Sequence, residues 1–157
     1  MDKRIIIVRI RGSIDVNYKV KDTLKMLRLF KKNSCSIFNN SESVIGMLKI
    51  IKDYTTWGEL DKDTFKLLLE KRGKLVGNKQ LNEDYLKEKL NYGFDAFAED
   101  FINFKKELKD VPGLKQFFRL MPPIKGYERA GIKKPFSMGG ALGYRKEKIN
   151  DLVKRMV

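Results

Sequence analysis

Ile5-Ile6-Ile7-Val8-Arg9-Ile10-Arg11-Gly12 puts five β-branched residues into six positions and closes on a glycine. So short and apolar a run reads as a central strand, because a helix needs a longer stretch with apolar residues three and four apart. Beyond it, Val20, Leu24, Leu27 and Phe30 recur at that helical spacing between Tyr18 and Lys32, with Lys21, Lys25, Arg28, Lys31 and Lys32 among the positions that remain. This predicts an amphipathic helix, which Asn17 is placed to cap. Ser34 to Asn39 has room for a second strand. Ser41 or Ser43 can then cap a helix whose apolar face is Val44, Met47, Leu48 and Ile51. Gly46 inside that helix costs about 1 kcal/mol against alanine, which suggests close approach of another backbone or a ligand. Tyr54 to Leu60, aromatic and β-branched, suits a third strand. The order is βαβαβ.

The 157 residues carry 34 Lys+Arg against 20 Asp+Glu, a surplus of +14. Residues 1–60 and 112–157 are basic, whereas the carboxylates balance the cations between 61 and 111. Two basic segments around a neutral one point to two contact surfaces for an anionic partner, with nucleic acid the leading class. A chain with one cysteine, Cys35, and no histidine has no internal disulfide, no Cys/His zinc site and no imidazole-based catalysis. No apolar run approaches the roughly 20 residues of a spanning helix, and Ile5 to Val8 is too short for a signal-peptide core, so the expected location is the cytosol.

In the neutral middle, Asp61 or Asp63 can start a helix through Phe65, Leu68 and Leu69 that stops at Lys71-Arg72-Gly73. A short helix fits Asn82 to Leu90, and Asp95 can cap a longer one with the stripe Phe97, Phe101, Phe104 and Leu108. Residues 112–144 hold all four prolines and six of the twelve glycines, so no regular element is expected there. Basic residues in this segment alternate with Phe117, Phe118, Tyr127, Phe136 and Tyr144, which argues for a functional arm rather than a linker. A closing helix has Ile149, Leu152, Val153 and Met156 on one face.

Several motifs are better explained structurally. Ser137 to Arg145 lacks the Lys-Ser/Thr of a P-loop and the G-x-G-x-x-G spacing, so it fits a loop against an RNA backbone better than a nucleotide cradle. Glu83-Asp84 and Glu99-Asp100 are helix neighbours that point apart and complement helix dipoles. Cys35 has no base to activate it and reads as core; Trp57 also reads as core more readily than as a base-stacking residue.

Arg9-Ile10-Arg11-Gly12, Gly46-Met47-Leu48, Lys52-Asp53-Tyr54-Thr55-Thr56-Trp57-Gly58-Glu59-Leu60-Asp61, Lys71-Arg72-Gly73, Phe118-Arg119-Leu120 with Pro122-Pro123, and Gly139-Gly140-Ala141-Leu142-Gly143-Tyr144-Arg145 occur in this order. Over about residues 4 to 156 the chain resembles the archaeal form of the L-thirty family of large-subunit ribosomal proteins, departing from it at Met121 and Lys146. The resemblance implies an α+β, ferredoxin-like βαβαβ core (1–60) with a small three-stranded, mainly antiparallel sheet and two helices on one face. Residues 61–157 would be a helical extension carrying the arm (112–144) and a C-terminal helix, the whole forming one compact unit.

It further implies a structural, non-enzymatic role in the large ribosomal subunit, with large-subunit rRNA, 5S rRNA and neighbouring ribosomal proteins as partners; the residues themselves lead to the expectation of no cofactor, metal, membrane or small-molecule substrate. The candidate RNA contacts in the core are Arg9 and Arg11, then Lys25, Arg28, Lys31 and Lys32, then Gly46 and Lys49. Arg72 follows the third helix. The arm supplies Arg119, Lys125, Gly126, Tyr127, Arg129, Lys133, Lys134, Gly139, Gly140, Tyr144 and Arg145. The competing readings are a ferredoxin-like enzyme clamping an anionic substrate with Arg119 and Arg145, and another basic adaptor.

Overall fold

The computed structural model describes residues 3–157; Met1 and Asp2, at the head of the expected 1–60 core, lie outside the described residues. The βαβαβ order is present as β1 (Arg4–Arg9), α1 (Tyr18–Met26), β2 (Ser34–Asn39), α2 (Glu42–Ile51) and β3 (Thr55–Glu59). Then come α3 (Lys62–Arg72), α4 (Glu83–Leu90), α5 (Phe94–Ile102), β4 (Phe117–Arg119), β5 (Gly143–Tyr144) and α6 (Ile149–Met156).

Among the described residues the sheet has five strands in the order β4-β2-β1-β3-β5, not the three expected. β1 is central and antiparallel to both β2 and β3, with Val8 opposite Cys35 on one side and Thr56 on the other. The two added strands come from the segment that prolines and glycines were expected to leave irregular. Those residues do forbid helix there, but they leave Phe117 to Arg119 and Gly143 to Tyr144 free to be extended. Such short pieces suffice at an edge, where only one side is paired. β4 runs antiparallel to β2, with Arg119 opposite Ser34, and β5 runs parallel to β3.

Alternation along β1 divides its side chains between two cores. Ile5 and Ile7 pack with Leu24 and Leu27 of the α1 segment and Val44, Leu48 and Ile51 of α2. Ile6 and Val8 belong to the opposite core, with Phe65, Leu68, Phe97, Phe101, Leu152 and Val153 from α3, α5 and α6. The sheet is therefore covered on both faces, which explains why β1 is apolar at every position from Ile5 to Val8. Gly58 is required by this packing, since a Cβ there would lie 2.1 Å from the Lys146 carbonyl oxygen.

Two helices end earlier than their apolar spacing predicts. α1 stops at Met26, and Arg28 turns left-handed (φ 58°), so that the Leu29 amide returns to the Leu24 carbonyl at 2.8 Å. The register shifts. Leu29 takes the buried position, and Phe30, expected in the helical stripe, is left 52% exposed. Likewise α5 stops at Ile102 ahead of a left-handed Phe104 (φ 61°), and Asp95 lies inside its first turn, with Gly93 at the cap position. The Phe104 ring instead lies 4.6 Å from the Arg4 guanidinium, which also stacks on Phe101 at 4.0 Å. Arg4 is buried and donates to the carbonyls of Phe101 and Lys106 and to Asn39 Oδ1, tying the end of α5 to the sheet.

Candidate nucleic-acid interface

The strand directions bring the two basic segments to one end of the sheet. Antiparallel pairing sets the end of β1 (Arg9) beside the start of β2, and the end of β4 (Arg119) beside Ser34. The returning arm is pinned there as well. Ile10 packs with Ala141 and Leu142, with Tyr127 and Ile132 against them. The Tyr127 hydroxyl donates to Asn33 Oδ1 at 3.1 Å, and the Leu120 amide donates to the Asn33 carbonyl at 2.9 Å. The arm also closes on itself, with bonds from Phe136 N to Leu142 O, Gly140 N to Pro135 O and Ala141 N to Gly131 O. It is a packed structure with backbone hydrogen bonds of its own and further ones to the core, contrary to what its proline and glycine content suggests.

Exposed cations accumulate around this end. Lys31, Lys32, Arg119, Lys125, Arg129, Lys133 and Lys134 are exposed, and among the described residues none lies within 4.0 Å of a carboxylate. Glu128, the one carboxylate between residues 112 and 144, does not compensate them. It is engaged with Arg145, whose Nη2 donates to its Oε2 at 2.7 Å, and Arg155 Nη2 approaches Oε1 at 3.8 Å. Burial pushes the Glu128 carboxyl up, but the hydrogen bond from Arg145 and the charges of Arg145 and Arg155 outweigh it, leaving the pKa below the ordinary carboxylate value. Fixed cations without local counter-charge attract an external polyanion.

Arg9 and Arg145, both expected at the RNA surface, are instead buried. Arg9 donates to the carbonyls of Arg11, Leu29 and Phe30 and to Ser13 Oγ. Besides holding Glu128, Arg145 donates to Thr56 Oγ1 and the Ala141 carbonyl, and its guanidinium lies 4.7 Å from the Phe136 ring centre. Both guanidinium groups have their donors engaged inside the protein, so neither is free to meet a phosphate.

Gly140 is likewise a packing requirement: an added Cβ would sit 2.1 Å from the Lys134 carbonyl oxygen. Gly126 and Gly139 are exposed and left-handed (φ 72° and 79°), so the turn demands glycine there. Gly46 is exposed, and a Cβ added there would meet nothing within 4 Å beyond its own helix, so no close approach of another backbone explains it.

Other candidates are placed differently. Lys25 and Lys49 are exposed on α1 and α2, the helices covering the opposite face of the sheet from α3, α5 and α6. Half-buried Arg28 lines a cleft of about 310 Å³ with Met26, Phe38 and Val44. Arg11 lies over Tyr54 at 5.0 Å and donates to the Asp53 carbonyl. Arg72 donates to the Val157 carbonyl at 2.8 Å, and Tyr144 donates its hydroxyl to Glu59 Oε1 at 3.1 Å. Cys35 is fully buried and its thiol pKa is pushed far up by desolvation, in keeping with a core residue. Trp57 packs partly buried against the α1–α2 core.

Two features escape the sequence reading. Between Glu70 and Glu83 the chain has four cations and no carboxylate, which averaging over residues 61–111 conceals. Here Leu75 N bonds to Lys79 O across a tight turn that exposes Val76, and Lys115 Nζ reaches Asn78 Oδ1, adding another cation. The local charge balance within this interval was the available signal. The second is Phe30, whose exposure follows from the left-handed turn at Arg28 and which no spacing rule reveals.

Residues 5–55 match the family model for ribosomal protein L30p/L7e. The chain is also 48% identical over 148 residues to the large ribosomal subunit protein uL30 of Methanopyrus kandleri, covering 94% of this chain and 99% of that protein. Identity with the uL30 proteins of Methanococcus maripaludis and Archaeoglobus fulgidus is 51% and 45% over 151 residues, in each case 96% of this chain and 97% of the relative.

Proposed function

From the premise that the chain belongs to the L30p/L7e family of ribosomal proteins, as its near full-length similarity to the archaeal uL30 proteins shows, we propose how it serves as a structural constituent of the large ribosomal subunit. It binds large-subunit rRNA in the cytoplasm with the end of the sheet where β1, β2, β4 and the arm meet. The observation that carries this reading is the concentration of exposed, carboxylate-free cations at that end, beside an arm whose only carboxylate is committed to Arg145. Lys31, Lys32, Arg119, Lys125, Arg129, Lys133 and Lys134 contact phosphates; Arg9 and Arg145 hold the loops that present them. Residues 1–60 act as the folding core, and 61–157 complete it with two strands, four helices and the arm.

The enzymatic alternative loses one of its two anion clamps, because Arg145 is buried against Glu128. The finer partner within the reading is 5S rRNA. Footprinting the protein on protein-free large-subunit rRNA and on 5S rRNA, alone and together, tests it. Protection within the large rRNA that spreads to 5S rRNA when both are present is expected. Equal affinity for unrelated structured RNA of the same length would overturn the reading.

A further inference from the structure

Phe30 is a large apolar side chain left half exposed on a well-secured loop. Its carbonyl and that of Leu29 both accept from Arg9 Nη1, at 3.1 and 2.7 Å. The Asn33 amide bonds to the Arg9 carbonyl at 2.8 Å, Ser34 Oγ donates to the Lys31 carbonyl at 2.5 Å, and Ser36 Oγ donates to that of Leu27 at 2.8 Å. A buried arginine and two buried serines thus fix a seven-residue connection whose single aromatic ring, that of Phe30, belongs to none of the hydrophobic cores. The ring meets Phe117 edge to face at 5.4 Å between centres, and the Arg119 guanidinium lies 6.0 Å from the Phe117 ring centre.

Pre-organisation on this scale lowers the entropy cost of binding at that surface. The rim identifies the occupant. Lys31, Lys32 and Arg119 are exposed and have no carboxylate within 4.0 Å among the described residues, so an apolar protein segment laid on Phe30 would leave three cations uncompensated. A nucleotide supplies both needs, a flat π-face for the ring and an anion for its neighbours.

We propose that Phe30 is the stacking platform for one unpaired nucleobase of the large-subunit rRNA, with Lys31, Lys32 and Arg119 taking the phosphates on either side of it. The proposal rests on the reading that this end of the sheet faces rRNA. Arg9 is then a positioning residue that acts through the loop backbone.

The test measures affinity for protein-free large-subunit rRNA across a KCl series, with melting curves to show that each variant is folded. Phe30→Leu keeps apolar bulk and removes the ring; it and Phe30→Ala should each lose about tenfold or more in affinity while keeping the wild-type salt slope, since no charge is removed. Phe30→Trp should bind at least as well as wild type. Replacing Lys31 and Lys32 together with glutamine should flatten the slope instead. If Phe30→Leu binds like wild type, the ring is only a packing element and the proposal falls alone. If the wild-type protein shows no preference for rRNA, the interface reading falls and takes the proposal with it.

Discussion

The helices α3 to α5 and the arm end of the sheet both expose many cations, but only the helices neutralise them with carboxylates of their own. On the helices and the turn after α5, Lys62 pairs with Glu99, Lys66 with Asp95 and Glu70, Lys87 with Glu83, and Lys105 with Asp100. At the arm end, Lys31, Lys32, Arg119, Lys133 and Lys134 have no such partners among the described residues. The helical pairs contribute little to stability, because exposed ion pairs are screened and cost side-chain entropy, but they leave no net field. Unpaired cations fixed by a rigid fold do leave one. What separates a solvated face from a polyanion-binding face is therefore whether the cations have local counter-charge, not how many there are.

The largest expected effects come from residues that hold the arm end together. Replacing Arg145 with glutamine should destabilise the protein by about 3 to 5 kcal/mol, because the buried guanidinium's bonds to Glu128, Thr56 and the Ala141 carbonyl are lost and the partly buried Glu128 carboxylate is left short of its main partner. Truncating Leu27 or Leu48 to alanine should cost about 2 to 5 kcal/mol, because buried apolar volume is removed and the site collapses only partly around the cavity. Urea unfolding measures both; if Arg145→Gln unfolds like wild type and loses only RNA affinity, the guanidinium meets RNA directly rather than stapling the arm.

A moderate effect is expected from the basic turn inside the otherwise balanced region. Replacing Lys74, Lys79 and Lys115 with glutamine should reduce the salt slope of rRNA binding by about one for each phosphate that is no longer neutralised. No change in slope would return this turn to the solvated class and restore a uniformly neutral middle.

The smallest effect is on acid stability. Because the folded pKa of Glu128 lies below its unfolded value, its contribution is present above the ordinary glutamate range near pH 4.3 and is lost as pH falls through the folded value. Replacing Glu128 with glutamine should flatten the decline of stability in that acid window. A decline as steep as in wild type would assign acid sensitivity to the exposed pairs on α3 to α5 instead.

The sequence made β1, α2 and α6 legible because each has an apolar pattern that holds whatever its neighbours do: Val44, Leu48 and Ile51, and Ile149, Leu152, Val153 and Met156, are all buried as their spacing requires. β4 and β5 could not be read, because strands of three and two residues exist only by pairing with β2 and β3. The ends of α1 and α5 depend on left-handed turns at Arg28 and Phe104, which neither residue type announces. The site was legible as a charge imbalance but not residue by residue. Arg9 and Arg119 look alike in the sequence, yet one guanidinium points into a loop and the other is exposed.

The most direct test of the account compares two sets of glutamine substitutions in rRNA binding over a KCl series. Replacing Lys31, Lys32, Arg119, Lys133 and Lys134 should weaken binding and reduce the slope of log affinity against log salt by roughly 0.7 to 0.9 for every phosphate left without its cation. Replacing Lys62, Lys66, Lys87 and Lys105 should leave affinity and slope nearly unchanged, because their charge is already balanced by neighbouring carboxylates. Equal losses per substituted cation from the two sets would mean that binding follows net charge alone, and would contradict the assignment of the interface to the arm end of the sheet.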